Sequence, residues 1–203
     1  MLRAVCTTAI VGVPILLSAC GTRDVPTQPL SESVSSTGAL NADKKNDDKK
    51  VKDNVVRIED RCDGPTFNAP PPNGVGPGTC SRKHGITFAH FISDLTKHMH
   101  VGAWRFEPKK VNAKVGETLT AWNKGGETHT FTEVAAFGGG INATLNTLSG
   151  NTTEAPECKT LAAGDMLAPG TKKQIETLND EGVEKYQCCI HPWMRMTVNV
   201  KKK

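Results

Sequence analysis

Tyr186-Gln187-Cys188-Cys189-Ile190-His191-Pro192-Trp193-Met194-Arg195-Met196 gathers a thiol, an imidazole and a thioether within the positions Cys188 to Met194. These soft and borderline donors select copper over magnesium or calcium. Two imidazoles, one thiolate and a weak axial thioether make up a mononuclear type 1 copper site, and this stretch holds all of them but one histidine. An upstream segment, Trp122-Asn123-Lys124-Gly125-Gly126-Glu127-Thr128-His129-Thr130-Phe131, offers the missing ring. The candidate metal ligands are therefore His129, Cys188, His191 and Met194. Met196 is an alternative axial group, but it falls in register with Val198 and Val200 as a core residue.

The sequence around these residues has the two-residue period of half-buried strands. Trp104 and Phe106 alternate until Pro108, Val111, Ala113 and Val115 alternate until Gly116, and Leu119, Ala121 and Asn123 share one face while Thr120 and Trp122 share the other. Segments 128–134 and 171–178 are strand-like, Asn179-Asp180-Glu181-Gly182 is a turn, and 183–188 is the strand that leads into the candidate site. Residues 135–168, with Gly138-Gly139-Gly140, read as a long excursion. Residues 85–100 fit neither the strand nor the helix period and are expected to form one short element of either kind. Many short strands separated by regular turns predict an all-β Greek-key sandwich.

The two ligand segments together resemble the cupredoxins, the plastocyanin and amicyanin family of small electron carriers. Tyr186, Cys188, His191 and Met194 fit the family's Tyr-x-Cys-x-x-His pattern with a methionine a few residues on. The run at 191–195 is similar to the short amicyanin-type ligand loop. Phe106-Glu107-Pro108, Val115-Gly116-Glu117 and Trp122-Asn123 stand ahead of His129 as the family's corresponding motifs stand ahead of its first histidine. The resemblance covers residues 101–200. It implies one type 1 copper, no substrate transformed, and single electrons passed between a protein donor and a protein acceptor. It further implies a rigid scaffold that limits rearrangement on electron transfer, with His191 near the surface beside Pro192 and Trp193 as an apolar docking patch.

The N-terminus bears on the compartment. Arg3 precedes an apolar run, 9–17, that is too short to span a bilayer but suits a signal peptide. Leu17-Ser18-Ala19-Cys20 resembles the bacterial lipobox, in which cleavage before the cysteine leaves it lipidated. The expected organisation is a lipoprotein signal peptide over 1–19, a lipid-anchored flexible linker over 20–85 containing a Cys62–Cys80 loop, and a copper-binding domain over 86–203. Segments 31–36 and 43–52 are polar and low in complexity, as a disordered tether requires. Such a tether has a root-mean-square reach of roughly 40–50 Å. The expected location is periplasmic or cell-surface, on a bacterial membrane.

The chain has 203 residues and seven cysteines, with a net charge of +4 that lies partly in Lys201-Lys202-Lys203. That excess is too small to point to nucleic acid, and the expectation is a monomer. Cys62, Cys80, Cys158 and Cys189 permit three pairings. Closure of the Pro/Gly-rich 62–80 loop is expected, worth roughly 3 kcal/mol. Cys189 departs from the family pattern and has three possible states: a bridge to Cys158, a free buried thiol, or a vicinal disulfide with Cys188. The favoured set is 62–80 with 158–189. No Cys-x-x-Cys-His haem motif occurs, and no acid/base or nucleophile motif points to an enzyme. Zinc, with Cys189 as a further thiolate, is the other metal reading. His84, His90, His98 and His100, with Met99, form a second soft-donor segment that would favour a copper carrier or resistance protein, delivering metal rather than electrons.

Overall fold

A computed structural model describes residues 52–203. The expected signal peptide, Cys20 and the expected tether as far as residue 51 lie outside the described residues. The strands in chain order are β1 (Asp53–Glu59), β2 (Arg105–Glu107), β3 (Lys110–Lys114), β4 (Thr118–Asn123), β5 (His129–Thr130), β6 (Thr132–Glu133), β7 (Met166–Leu167), β8 (Lys172–Thr177), β9 (Gly182–Gln187) and β10 (Arg195–Lys201). The α-helices are α1 (Gly64–Phe67), α2 (Phe88–His98) and α3 (Ala143–Leu148).

The strands form a β-sandwich. One sheet has the order β2-β1-β4-β8 and the other β3-β10-β9-β6, with β5-β7 as a small separate pair. In each large sheet one contact is parallel, β1 with β4 and β3 with β10. The inward residues follow from the alternation. Val56, Ile58, Phe106, Leu119 and Ala121 from the first sheet share one core with Val111, Ala113, Tyr186, Met196, Val198 and Val200 from the second. Trp122 faces out of the core, with the Lys124 ammonium 3.9 Å above its ring.

The boundary expected at residue 86 moves to about residue 53. Residues 53–59 are a central strand rather than part of a linker. β1 runs parallel to β4 from Asp53↔Thr118 to Ile58↔Asn123 and antiparallel to β2. Its signal is the short Val56/Ile58 alternation, which the surrounding charge masks. The 62–80 loop also carries core residues. Phe67 is buried and stacks on Trp104 with ring centroids 5.8 Å apart, and the Asn68 side chain bonds both N–H and C=O of Cys80. Cys62–Cys80 and Cys158–Cys189 are disulfides, while Cys188 is a free buried thiol.

The uncertain segment 85–100 is a helix. Ile86 blurred its period, because that residue belongs to a bridge with Cys62. Without it, Phe88, Phe91, Ile92 and Leu95 have the i, i+3, i+4, i+7 spacing of one helical face. Thr87 caps the N-terminus by accepting from His90 N–H, and Met99 ends the helix in a left-handed conformation. The strand expected over 128–134 is split in two. β5 pairs with β7 and β6 with β9, so the chain changes partner at Phe131.

A chain beginning at Lys52 is expected to unfold cooperatively. A chain beginning at Arg61 lacks a strand hydrogen-bonded on both sides, and it is expected to lose the cooperative transition. Circular dichroism melts of the two truncations check this; equal melts would place β1 outside the folding unit.

Candidate metal centre

β9 ends at Gln187 and delivers Cys188 to the end of the sandwich. The following loop is closed by two backbone bonds, Cys188 N–H to Met194 C=O at 3.0 Å and Met194 N–H to His191 C=O at 2.9 Å. This turn carries His191 back toward the sulfur, while β5 brings His129 from the other side. Cys188 Sγ lies 3.7 Å from His129 Nδ1 and 3.8 Å from His191 Nδ1. Backbone N–H groups of Thr130 and His191 also point at the sulfur, at 3.4 and 3.5 Å. His129, Cys188, His191 and Met194 are all buried, and the first three form a potential metal-ligating group. Met196 instead sits on β10 opposite Tyr186, on the inward face with Val198 and Val200.

Both rings turn Nδ1 to the sulfur, and for His129 a carboxylate holds the other edge. His129 Nε2 bonds Asp60 Oδ2 at 2.8 Å, with both side chains fully buried. Asp60 also accepts from the N–H groups of Cys62, Gly126 and Glu127. His191 Nε2 lies 3.8 Å from Glu127 Oε2, which accepts from Trp104 Nε1 at 2.6 Å. Carboxylates on the far nitrogen fix the tautomer and orientation of a ligating histidine. Gly125 makes the first arrangement possible, because a Cβ there would stand 1.9 Å from Asp60 Oδ2. Sequence reading missed Asp60, which lay in the supposed linker. The local signal that could have pointed to it is the Gly125-Gly126 pair, which permits a close backbone approach but does not name the partner.

Charge is distributed accordingly. Burial opposes charge on His129, but its bond to Asp60 and the neighbouring Cys188 outweigh this and push it up to about 10. Burial likewise opposes the Cys188 thiolate, yet His129 and His191 hold the thiol well below its ordinary value. For Asp60, burial is again outweighed, here by His129 and the backbone N–H donors, and its carboxyl lies far below the usual range. Burial raises Glu127, against the opposing pull of His191. Thiolate and imidazole ligands must be deprotonated to bind, so metal binding at this centre is linked to proton release.

The adjacent cysteines face apart, as neighbours on a strand do. Cys188 joins the main core, while Cys189 joins a satellite cluster with Val134, Ala155 and Cys158. The excursion packs on this side. Gly140 is needed there because its Cβ would stand 1.8 Å from the Cys189 carbonyl oxygen, which accepts from Ile141 N–H at 2.7 Å.

One surface expectation fails. His191 is 3% exposed, and Pro192 is buried beside it. Helix α2 covers this end, with Phe91 packed 5.9 Å from Trp193 and Trp193 5.4 Å from His191, centroid to centroid. The flat docking patch is replaced by a walled recess. The second soft-donor segment does not assemble either. His84, His90, His98 and His100 are exposed, His90 pairs with Asp94 at 3.4 Å, and none of the four joins a three-ligand group among the described residues.

No protein-family model matches the chain, and no curated protein matches it. Among solved structures the chain is similar to a purple cupredoxin from Nitrosopumilus maritimus, at 24% identity over 50% of this chain and 86% of that one, with a TM-score of 0.37. It is also similar to a Cu(I) form of an amicyanin mutant, at 22% identity over 48% of this chain and 73% of that one, with a TM-score of 0.33. Scores of this size add no weight to the geometry.

Asp60→Asn is expected to weaken copper binding about 10–100-fold, as loss of such a partner does elsewhere; competition with a chelator measures it. The pH dependence gives an independent check. Because folding lowers the Asp60 pKa from 3.8, its contribution to stability is present above that value and is lost as the pH falls toward the folded value. Urea unfolding of the metal-free protein should therefore show a loss of stability between pH 5 and 3 (about the unfolded carboxyl range) that Asp60→Asn flattens. Equal slopes for the two proteins would remove the Asp60 assignment.

Proposed function

We propose that the chain is a mononuclear type 1 copper protein that carries single electrons between redox partners, held by an N-terminal lipid at a bacterial cell envelope. The observation that carries the reading is the convergence of Cys188 Sγ with the two Nδ1 atoms in a buried site. Donors that share an ion through bonds of roughly 2.0 Å to nitrogen and 2.3 Å to sulfur lie at most about 4.3 Å apart. Separations of 3.7 and 3.8 Å fit that limit. Cys188, His129 and His191 would hold the copper, with Met194 as the weak fourth donor that makes the set copper-like rather than zinc-like. Bound copper supplies a one-electron couple between Cu(II) and Cu(I).

The rest is the work of the protein. The loop bonds around Met194 and the Asp60 carboxylate on His129 Nε2 hold the donors before any ion arrives, which limits the rearrangement that a change of charge requires. N–H groups on the sulfur stabilise its negative charge and so tune the potential. The burial of all four donors favours a resident ion over one handed on, and the exposed histidines that would support copper delivery do not assemble. The lipid anchor rests on Leu17-Ser18-Ala19-Cys20 alone.

Two absorption spectra test the centre. Copper-loaded Cys188→Ser is expected to lack the intense thiolate-to-copper band, because a serine oxygen cannot supply it. Cys189→Ser is expected to keep the band and to lose roughly 2–5 kcal/mol of stability with its disulfide. A coloured Cys188→Ser protein would contradict the proposal. For the anchor, Cys20→Ala should move the protein from the detergent phase to the aqueous phase with its copper content unchanged; unchanged partitioning would refute lipidation at that residue.

A further inference from the structure

The recess that replaces the docking patch is a pocket of about 350 Å³, within the size range of small-molecule sites. Its walls come from the 62–80 loop, α2 and α3, none of which lies in a β-sheet, and His191 lines it beside Ile190. Most of the lining is apolar: Phe67, Phe88, Phe91, Ile92 and Leu145. Phe67 meets Phe88 and Phe91 edge-on, at 5.4 and 5.5 Å between centroids. These walls accept the face of a flat ring.

The polar part of the lining is specific. Glu127 lines the pocket although it is only 6% exposed. Its Oε2 accepts from Trp104, whereas Oε1 takes part in no hydrogen bond among the described residues. Thr128 lies next to it in the lining. That oxygen is not among the fully buried atoms that lack a partner, so it opens toward the recess, and a ligand hydroxyl would bond it there whether the carboxyl is charged or neutral. A ligand carboxylate would meet a second acid in an apolar setting and be disfavoured.

We propose that this pocket binds a small, neutral, hydroxylated aromatic molecule of the phenol or hydroquinone class, with its ring among the phenylalanines and its hydroxyl on Glu127. The inference deepens the proposed function, since a molecule held there touches a residue assigned to the copper. Its binding, however, depends only on the protein.

The test uses the metal-free full-length chain and backbone amide NMR, with 4-methylphenol, toluene and 4-methylbenzoate as probes. Saturable shifts at Phe91, Ile92, Leu145 and Ile190 are expected with 4-methylphenol. Its binding should be at least about fivefold tighter than that of toluene, the margin one hydrogen bond supplies, and 4-methylbenzoate should bind more weakly still. Ile92→Trp and, separately, Leu145→Phe should fill the pocket and abolish the shifts; two variants on different helices guard against one that misfolds. No saturable shifts, shifts that persist in both variants, or equal binding of toluene would overturn the proposal. So would shifts that track protein concentration alone, which would mean that a second copy covers the face. Phenol binding by a protein that shows no copper colour would leave this inference standing and sink the copper reading; colour without phenol binding would do the reverse.

Discussion

The hydrogen bond between His129 and Asp60, 2.8 Å long and fully buried, is the contact on which the arrangement of the centre depends. It settles which nitrogen of His129 faces the sulfur. It also ties the end of β1, and the disulfide loop after it, to β5. An uncompensated carboxylate would not survive at this depth. Asp60 survives because three backbone donors and one imidazole surround it. Gly125 is the condition for so close an approach of Asp60, and Gly126 for that of the Cys62 sulfur.

The sulfur is held with the same economy of motion. Two imidazole nitrogens and two backbone N–H groups point at Cys188, and the backbone bonds of Cys188 and Met194 close the loop that carries His191. Each disulfide adjoins one part of the centre. Cys62 lies beside Asp60 behind His129, and Cys189 anchors the excursion directly after Cys188. Each segment that departs from the plain sandwich therefore buttresses one ligand. Such rigidity suits the proposed electron transfer, because donors that cannot relax would contribute little reorganisation energy when the charge on a bound ion changes.

Much of this was legible in the sequence because the relevant signals are local. The strand periodicity of 104–123 and 183–200, the Cys188-x-x-His191 interval and the opposite facing of Cys188 and Cys189 all follow from neighbours in the chain. What escaped was set by distant contacts. β1 has only two alternating core residues, Val56 and Ile58, inside a charged stretch, and its place in the sheet is decided by β4, about 65 residues later. Asp60 looked like a solvated tether residue because nothing local announces a partner 69 positions away. The helical face of α2 was hidden by Ile86, whose burial answers to Cys62 and not to the helix. The covering of His191 arises from α2 and the first disulfide loop together, and neither lies within the segment that resembles a known family.

The central claim is that one ion is held by one sulfur and two imidazoles. Copper K-edge X-ray absorption of the protein loaded with one equivalent of copper tests this most directly. The account predicts a single short sulfur scatterer at roughly 2.2–2.3 Å and two imidazole nitrogens at roughly 2.0–2.1 Å, together with a long, weak fourth donor. A shell of oxygen and nitrogen alone, or one with two sulfurs, would contradict it.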